Sequence, residues 1–201
     1  MKGKFITFEG IDGTGKSTQI QMLAERLQNL GYQVIVTREP GGTRVAERVR
    51  EIVLDAQLPL SARSEALLFM ASRSEHVEKI IRPALLAGKV VLCDRFCDST
   101  FVYQGLHCDV EMLRKLNFIA TEGLMPDVTV VLDGDPEMLL QRRTVRGVQD
   151  RFENKGLEFQ KQLRQGFLAL AKEEPERIKV VDGMASREDV AVAIASCLKI
   201  S

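Results

Sequence analysis

"FITFEGIDGTGKST", residues 5–18, decides how the rest of the chain is read. An apolar run ends in a glycine-rich loop, and the loop ends in a lysine followed by two hydroxyl residues. Gly10, Gly15, Lys16 and Ser17 satisfy the spacing G-x-x-x-x-G-K-[ST], with a strand pattern before it and a helix pattern after it. The bare pattern arises by chance in roughly one chain in a hundred of this length, and requiring strand and helix around it lowers that further. Glycines at 10, 13 and 15 let backbone N–H groups converge on phosphate oxygens. The helix beginning near Lys16 adds the positive end of its dipole, and Ser17 is suited to ligate Mg²⁺. Residues Gly10, Asp12, Gly13, Thr14, Gly15, Lys16, Ser17 and Thr18 therefore form the candidate cradle for a nucleoside triphosphate. The cradle alone does not say what receives the phosphate.

Outward from this loop, short β-rich runs alternate with longer helical patterns, which predicts an α/β fold with a parallel sheet flanked by helices. The expected strands are Lys4–Glu9, Gln33–Arg38, Val90–Asp94, Val128–Asp133 and Ile178–Asp182. Helical patterns cover 16–30, 44–54, 61–87, 109–123, 136–145, 157–173 and 186–199, with turn signals at Gly31, "EPGG" and "GDPE" between them. Residues 141–156, "QRRTVRGVQDRFENKG", are too polar and basic for a core helix throughout and are expected to form a mobile lid.

The 201 residues are 45% hydrophobic, enough for one domain with a full core. Lys+Arg and Asp+Glu both number 28, so no overall field favours nucleic acid or an anionic membrane, and any anion site must be local. No apolar run reaches the ~18 residues of a membrane span. Met1 to Lys4 leads into a strand pattern rather than a leader, so a cytoplasmic protein is expected. The four cysteines, Cys93, Cys97, Cys108 and Cys197, contain no C-x-x-C pair, and no nearby His or Cys completes a metal set around Cys93 and Cys97.

Three chemistries compete for such a cradle. A GTPase needs a guanine-reading N-K-x-D, whereas Asn154-Lys155 is followed by Gly-Leu; an ABC-type ATPase needs an LSGGQ-like signature, and none is present. A kinase needs a second phosphate site and a means of excluding water. "VVLCDRF" supplies the first, with Asp94 at a strand end near the Mg²⁺ shell and Arg95 able to fork onto a phosphate. Arg142, Arg143, Arg146 and Arg151 supply cations for a transferring phosphoryl group.

"FEGIDGTGKST", "TREPGGT", "LLFMASRSEH", "DRFCDSTFVYQG", "PDVTVVLD" and "RGVQDRFE", in this order along almost the whole chain, resemble the bacterial thymidylate kinases. The resemblance implies a P-loop nucleoside monophosphate kinase with a five-stranded parallel core that converts dTMP and Mg-ATP to dTDP and ADP, and it implies a homodimer. Position by position, Asp12 resembles the carboxylate near the sugar 3′-hydroxyl and metal, and Glu39, followed by a cis Pro40, is similarly placed. Arg50 and Arg95 resemble the pair that grips the dTMP phosphate. Phe69 matches the ring stacked on thymine, Arg73 the residue addressing O4, Thr100 and Gln104 the readers of the remaining polar edge, and Tyr103 the residue crowding the 2′ position. With Thr14 rather than arginine in the loop, the chain resembles the lid-arginine branch. That assigns Arg146 to the transferring phosphate, Arg151 to its support and Arg142 to adenine. Phe96 and Phe101 depart from the residues common at their positions.

The expected consequence concerns Arg146. Its contact develops mainly as charge builds on the moving phosphoryl group, so Arg146→Ala should depress kcat far more than it weakens dTMP binding. Steady-state kinetics beside a dTMP titration measures both; unchanged kcat with a raised KM would reduce this arginine to a binding residue.

Overall fold

The computed structural model describes residues 3–143, 152 and 155–199. Five parallel strands, β1 (Lys4–Glu9), β2 (Val34–Arg38), β3 (Val90–Asp94), β4 (Val128–Asp133) and β5 (Ile178–Asp182), form one sheet in the order β2-β3-β1-β4-β5. All five expected strands are present, with β2 starting one residue later. Its preceding residue Gln33 still accepts from Val90 N–H.

Period-two alternation sends the two faces of β1 to different cores. Ile6 and Phe8 pack with Leu92, Val130 and Val181 against α1 (Lys16–Asn29) and α9 (Arg187–Cys197), through Ile20, Leu23, Leu27 and Ile194. Phe5 faces the other side, where Val91, Phe96, Leu113, Leu163 and Phe167 form the second core beneath α5 (Cys97–Tyr103), α6 (Val110–Thr121) and α8 (Gly156–Glu173). Each fully buried side chain of this size contributes about 1.5–3 kcal/mol. Helices α2 (Arg44–Leu54), α3 (Ala62–His76), α4 (Arg82–Leu86) and α7 (Pro136–Arg143) complete the described helices.

Two departures from the sequence expectation have physical reasons. The pattern over 61–87 predicts one regular helix, but α3 passes into α4 through a π turn at Val77–Ile81, where Arg82 N–H reaches Val77 carbonyl. Pro83 has no N–H to donate to the preceding turn and its ring crowds the carbonyl four residues back, so the ladder widens there. Helix α5 is unanticipated because "CDSTFVY" is made of weak helix formers. Burial and an unusual cap, described below, hold it. The expected lid largely lies outside the described residues, apart from the end of α7, the start of α8 and Phe152, which is buried.

The face of β1 below α5 also carries polar groups. Thr7 hydrogen-bonds Thr129 at 2.8 Å, and Thr129 donates to Asp98 at 2.9 Å. Arg177 closes a two-pronged pair on Asp98, both contacts at 2.7 Å. Asp98 is fully buried, so loss of Arg177 alone would leave an uncompensated charge, at a cost of about 3–5 kcal/mol.

Candidate active site

In a parallel sheet the carboxyl ends of all strands lie on one edge, and a cleft opens where successive connections leave in opposite directions. Here β1 lies between β3 and β4, and its loop, residues 10–15, occupies that place. Gly10, at φ 124°, passes so close to β4 that a Cβ would sit 2.4 Å from the Leu132 carbonyl oxygen. Gly15, at φ 91°, caps α1 with open space beside it, and the first N–H groups of the helix face the cleft.

Lys16 is buried, with Nζ donating to the carbonyls of Gly10 at 3.0 Å and Ile11 at 3.1 Å and lying 3.5 Å from Asp12 Oδ1. Burial lowers its pKa, Arg95 adds to that, and the carboxylates of Asp12, Asp94 and Glu9 oppose it. Ser17 Oγ donates to Asp94 Oδ2 at 3.0 Å, which brings a hydroxyl from α1 and a carboxylate from the end of β3 together. Asp12, Gly13, Gly15, Lys16, Ser17, Thr18, Asp94 and Arg95 all line the cleft. Thr14 does not: its side chain is buried and donates to Ile11 carbonyl, bracing the loop from behind.

Arg95 follows β3 in the left-handed region, at φ 68°, with its N–H on Phe8 carbonyl at 2.9 Å. Such a backbone is strained for an arginine and persists only where neighbours over-determine it. Nη2 donates to Asp12 Oδ1 at 2.6 Å, Nη1 donates to Ser99 Oγ at 3.0 Å, and the guanidinium lies 5.1 Å over the Tyr103 ring. Asp12 therefore stands between Lys16 and Arg95, joining the glycine loop to the end of β3.

The third wall comes from the end of β2. The Glu39-Pro40 bond is cis, Glu39 N–H donates to Asp94 carbonyl at 2.9 Å, and Arg50 of α2 donates to Pro40 carbonyl at 2.9 Å. Glu39 carries Arg73, whose Nε donates to Oε2 at 2.7 Å. Arg73 is 1% exposed and also donates to Asn117 Oδ1 and Thr100 Oγ1, both at 3.0 Å, with Phe96 4.9 Å below it. Burial works against its charge, but Glu39, with Cys97 and Glu9 adding to it, outweighs burial and raises its pKa. A guanidinium has five N–H donors, so donor capacity remains for an atom in the cleft. Phe69, one helical turn before Arg73, lines the cleft with it, as do Pro40, Thr100, Tyr103 and Gln104. Gln104 is held by its donation to Glu65 at 2.8 Å. The Arg142 side chain, Arg146 and Arg151 lie outside the described residues.

Sequence reasoning passed over several residues. Phe152 joins the cleft wall, its ring edge-on to Tyr103 at 5.6 Å and 6.4 Å from Phe69. Ser99 and Asn117 orient Arg95 and Arg73. Glu9 is fully buried, accepts from Phe96 N–H at 2.7 Å and Ser99 N–H at 3.2 Å, and shares a 2.6 Å bond with Ser99 Oγ. It is thus the cap of α5, supplied from another element. Only the alternation of β1, which turns Glu9 to the side of Phe5 and Thr7, pointed to its burial.

The family model described as thymidylate kinase matches residues 8–194. A thymidylate kinase of Pelotomaculum thermopropionicum is 50% identical over 193 residues, covering 94% of this chain and 88% of the relative. One of Caldanaerobacter subterraneus subsp. tengcongensis is 49% identical over 186 residues, covering 92% and 89%. The crystal structure of thymidylate kinase from Ehrlichia chaffeensis superposes with a TM-score of 0.81 at 37% identity, covering 98% of this chain and all of that one.

Glu9 generates a pH dependence of stability. Burial and then the nearby charge of Asp98 push its carboxyl from 4.5 up to about 7, against Arg95, Ser99 and Phe96 N–H. Between those values the folded protein retains a proton that the unfolded chain has released. This contribution therefore falls as pH rises from 4.5 to about 7 and is level above that. Glu9→Gln cannot ionise and should remove the slope. Urea unfolding from about pH 5 to about pH 8 measures it, and an equal slope in the variant would assign the effect to another group.

Proposed function

The chain belongs to the thymidylate kinase family, and from that premise we infer which residues carry the transfer of the γ-phosphoryl group of ATP to dTMP, giving dTDP and ADP. One observation carries the reading: Asp12 touches both Lys16 and Arg95, so donor and acceptor phosphates meet at a single carboxylate.

The N–H groups of Gly13 to Thr18 receive the ATP phosphates, and Lys16 exchanges its carbonyl partners for β- and γ-phosphate oxygens. Ser17 and Asp94 fit Mg²⁺, a hydroxyl and a carboxylate 3.0 Å apart beside the phosphates, the pairing of few protein ligands with substrate oxygens that this ion favours. Bound there, Mg²⁺ would neutralise charge on the phosphates. Arg50 and Arg95 hold the dTMP phosphate, Phe69 stacks on thymine, Arg73 donates to O4, Thr100 and Gln104 meet the rest of the base edge, and Tyr103 fills the space of a 2′-hydroxyl. An oxygen of the dTMP phosphate attacks the γ-phosphorus, the new P–O bond forms as the bond to the β,γ-bridging oxygen breaks, and the electron pair leaves with ADP. Arg146 and Arg151 stabilise the equatorial oxygens, and Arg142 stacks on adenine.

The protein works in the cytoplasm as a single kinase domain and as a homodimer. What supports the dimer is an apolar surface on three neighbouring helices: Val45 and Ile52 on α2, Leu67 on α3, and Phe118 and Ile119, 66% and 72% exposed, on α6. Patches of this kind mark interfaces, and a two-fold pairing would cover both copies at once. Among the described residues, no helix is long and apolar enough to cross a membrane.

ADP release with Mg-ATP should require an acceptor and be fastest with dTMP among dTMP, dUMP, dCMP, dGMP and AMP; equal release without acceptor would make the protein an ATPase. Sedimentation equilibrium should find a dimer that Phe118→Arg dissociates, and a wild-type monomer would defeat the interface.

A further inference from the structure

We propose that His76 is the positioning residue that sets the Glu39–Arg73 pair for base recognition, a reading that rests on the thymidylate site described above. His76 closes α3 one turn after Arg73, and it is 0% exposed. It is not among the side chains that line the cleft. Its two ring nitrogens reach two points of the chain around the end of β2. Nδ1 lies 3.1 Å from Glu39 Oε1, and Nε2 lies 2.7 Å from Thr37 Oγ1. The ring also lies against the turn that follows: a Cβ on Gly42 would come within 2.5 Å of both Cδ2 and Nε2. One side chain thus spans Thr37, Glu39 and Gly42.

The span matters because β2 is an edge strand whose residues are only partly buried or exposed, so the sheet core gives its end little support. Other groups hold the backbone of this turn: Arg50 on Pro40 carbonyl, Glu47 on Gly42 N–H, and Asp94 carbonyl on Glu39 N–H. None of these contacts orients the Glu39 carboxylate. That carboxylate has Arg73 on Oε2 and His76 on Oε1. A carboxylate only accepts, so Nδ1 carries the hydrogen in this contact, and Nε2 shares one with the Thr37 hydroxyl. The His76 bond fixes the rotation of the carboxyl plane, and the carboxyl plane, together with Asn117 and Thr100, fixes the guanidinium. Arg73 then presents its remaining N–H groups to the base. A donor there favours a carbonyl oxygen at position 4 of a pyrimidine and opposes the amino group of cytosine, because a site built to donate leaves groups unpaired against the wrong partner. His76 therefore acts on acceptor affinity and base choice, and it is remote from the γ-phosphoryl path.

Asparagine and glutamine separate the two contacts. The Asn side-chain N–H₂ sits near the place of Nδ1, and the Gln amide reaches toward Nε2. His76→Ala should raise KM for dTMP about tenfold or more, the cost of losing a hydrogen bond to a charged group, and should narrow the preference for dTMP over dCMP. It should leave KM for ATP and kcat within about twofold. His76→Asn should recover most of the dTMP affinity, and His76→Gln should not. Thr37→Val, which removes only the second contact, should keep the wild-type KM for dTMP. A purely structural histidine would instead lower kcat, both KM-derived specificities and the thermal midpoint together, with no rescue by Asn. That result, or an unchanged KM for dTMP in His76→Ala, overturns the proposal. Wild-type enzyme inert toward dTMP would overturn the thymidylate reading itself, which the same assay shows separately.

Discussion

The buried carboxylate of Glu9 joins the two halves of the site. It ends β1, immediately before the phosphate loop, and caps the N-terminus of α5 by accepting from Phe96 and Ser99 N–H groups. Arg95 precedes Phe96, the N-cap of that helix, in a left-handed conformation that its own side chain disfavours. The cap, the bond of Arg95 N–H to Phe8 carbonyl and the contact of its guanidinium with Ser99 together hold it there. The glycine loop after β1 and Arg95 after β3 are thus both tied to one carboxylate. Small relative movements of donor and acceptor are costly for transfer, since a misplacement of about 1 Å can cost about a hundredfold in rate.

Behind this joint the protein withdraws several ionisable side chains from water. Glu9, Arg73, Asp98 and Glu39 are all withdrawn from water, and each has partners: Arg95 and Ser99, Glu39, Arg177, and Arg73 with His76. Buried ion pairs contribute little net stability compared with apolar packing, but breaking one is expensive. The arrangement gives rigidity at a site that must meet highly charged substrates without rearranging its own dipoles.

The polar walls also limit where the cleft can adapt. Arg73 is committed to Glu39, Asn117 and Thr100, and Gln104 to Glu65, so these cleft groups are already fixed in direction. Phe69, Tyr103 and Phe152 add apolar wall, with Phe152 edge-on to Tyr103 and tilted to Phe69. A planar ring entering between fixed donors and aromatic faces is selected by its hydrogen-bond edge more than by its bulk.

Strands were legible in the sequence because parallel strands buried on both faces read as short apolar runs, and the glycine spacing of residues 10–17 has one dominant physical use. Asp94 and Arg95 were expected from their strand end, and Glu39 and Arg73 from the family resemblance; all four line the cleft, and the i, i+4 spacing placed Phe69 and Arg73 on one face. Tertiary structure decided the rest. "CDSTFVY" becomes helical through burial and through a cap from Glu9, some ninety residues earlier. The regular pattern of 61–87 gives no sign that Pro83 widens the helix into a π turn. Nor does any local pattern state that Glu39 faces Arg73, that His76 spans Thr37 and Glu39, or that Thr14 turns inward while its neighbours face the cleft. Periodicity reports which side of an element is buried, whereas partners across long sequence separations are chosen by the packing of whole elements against one another.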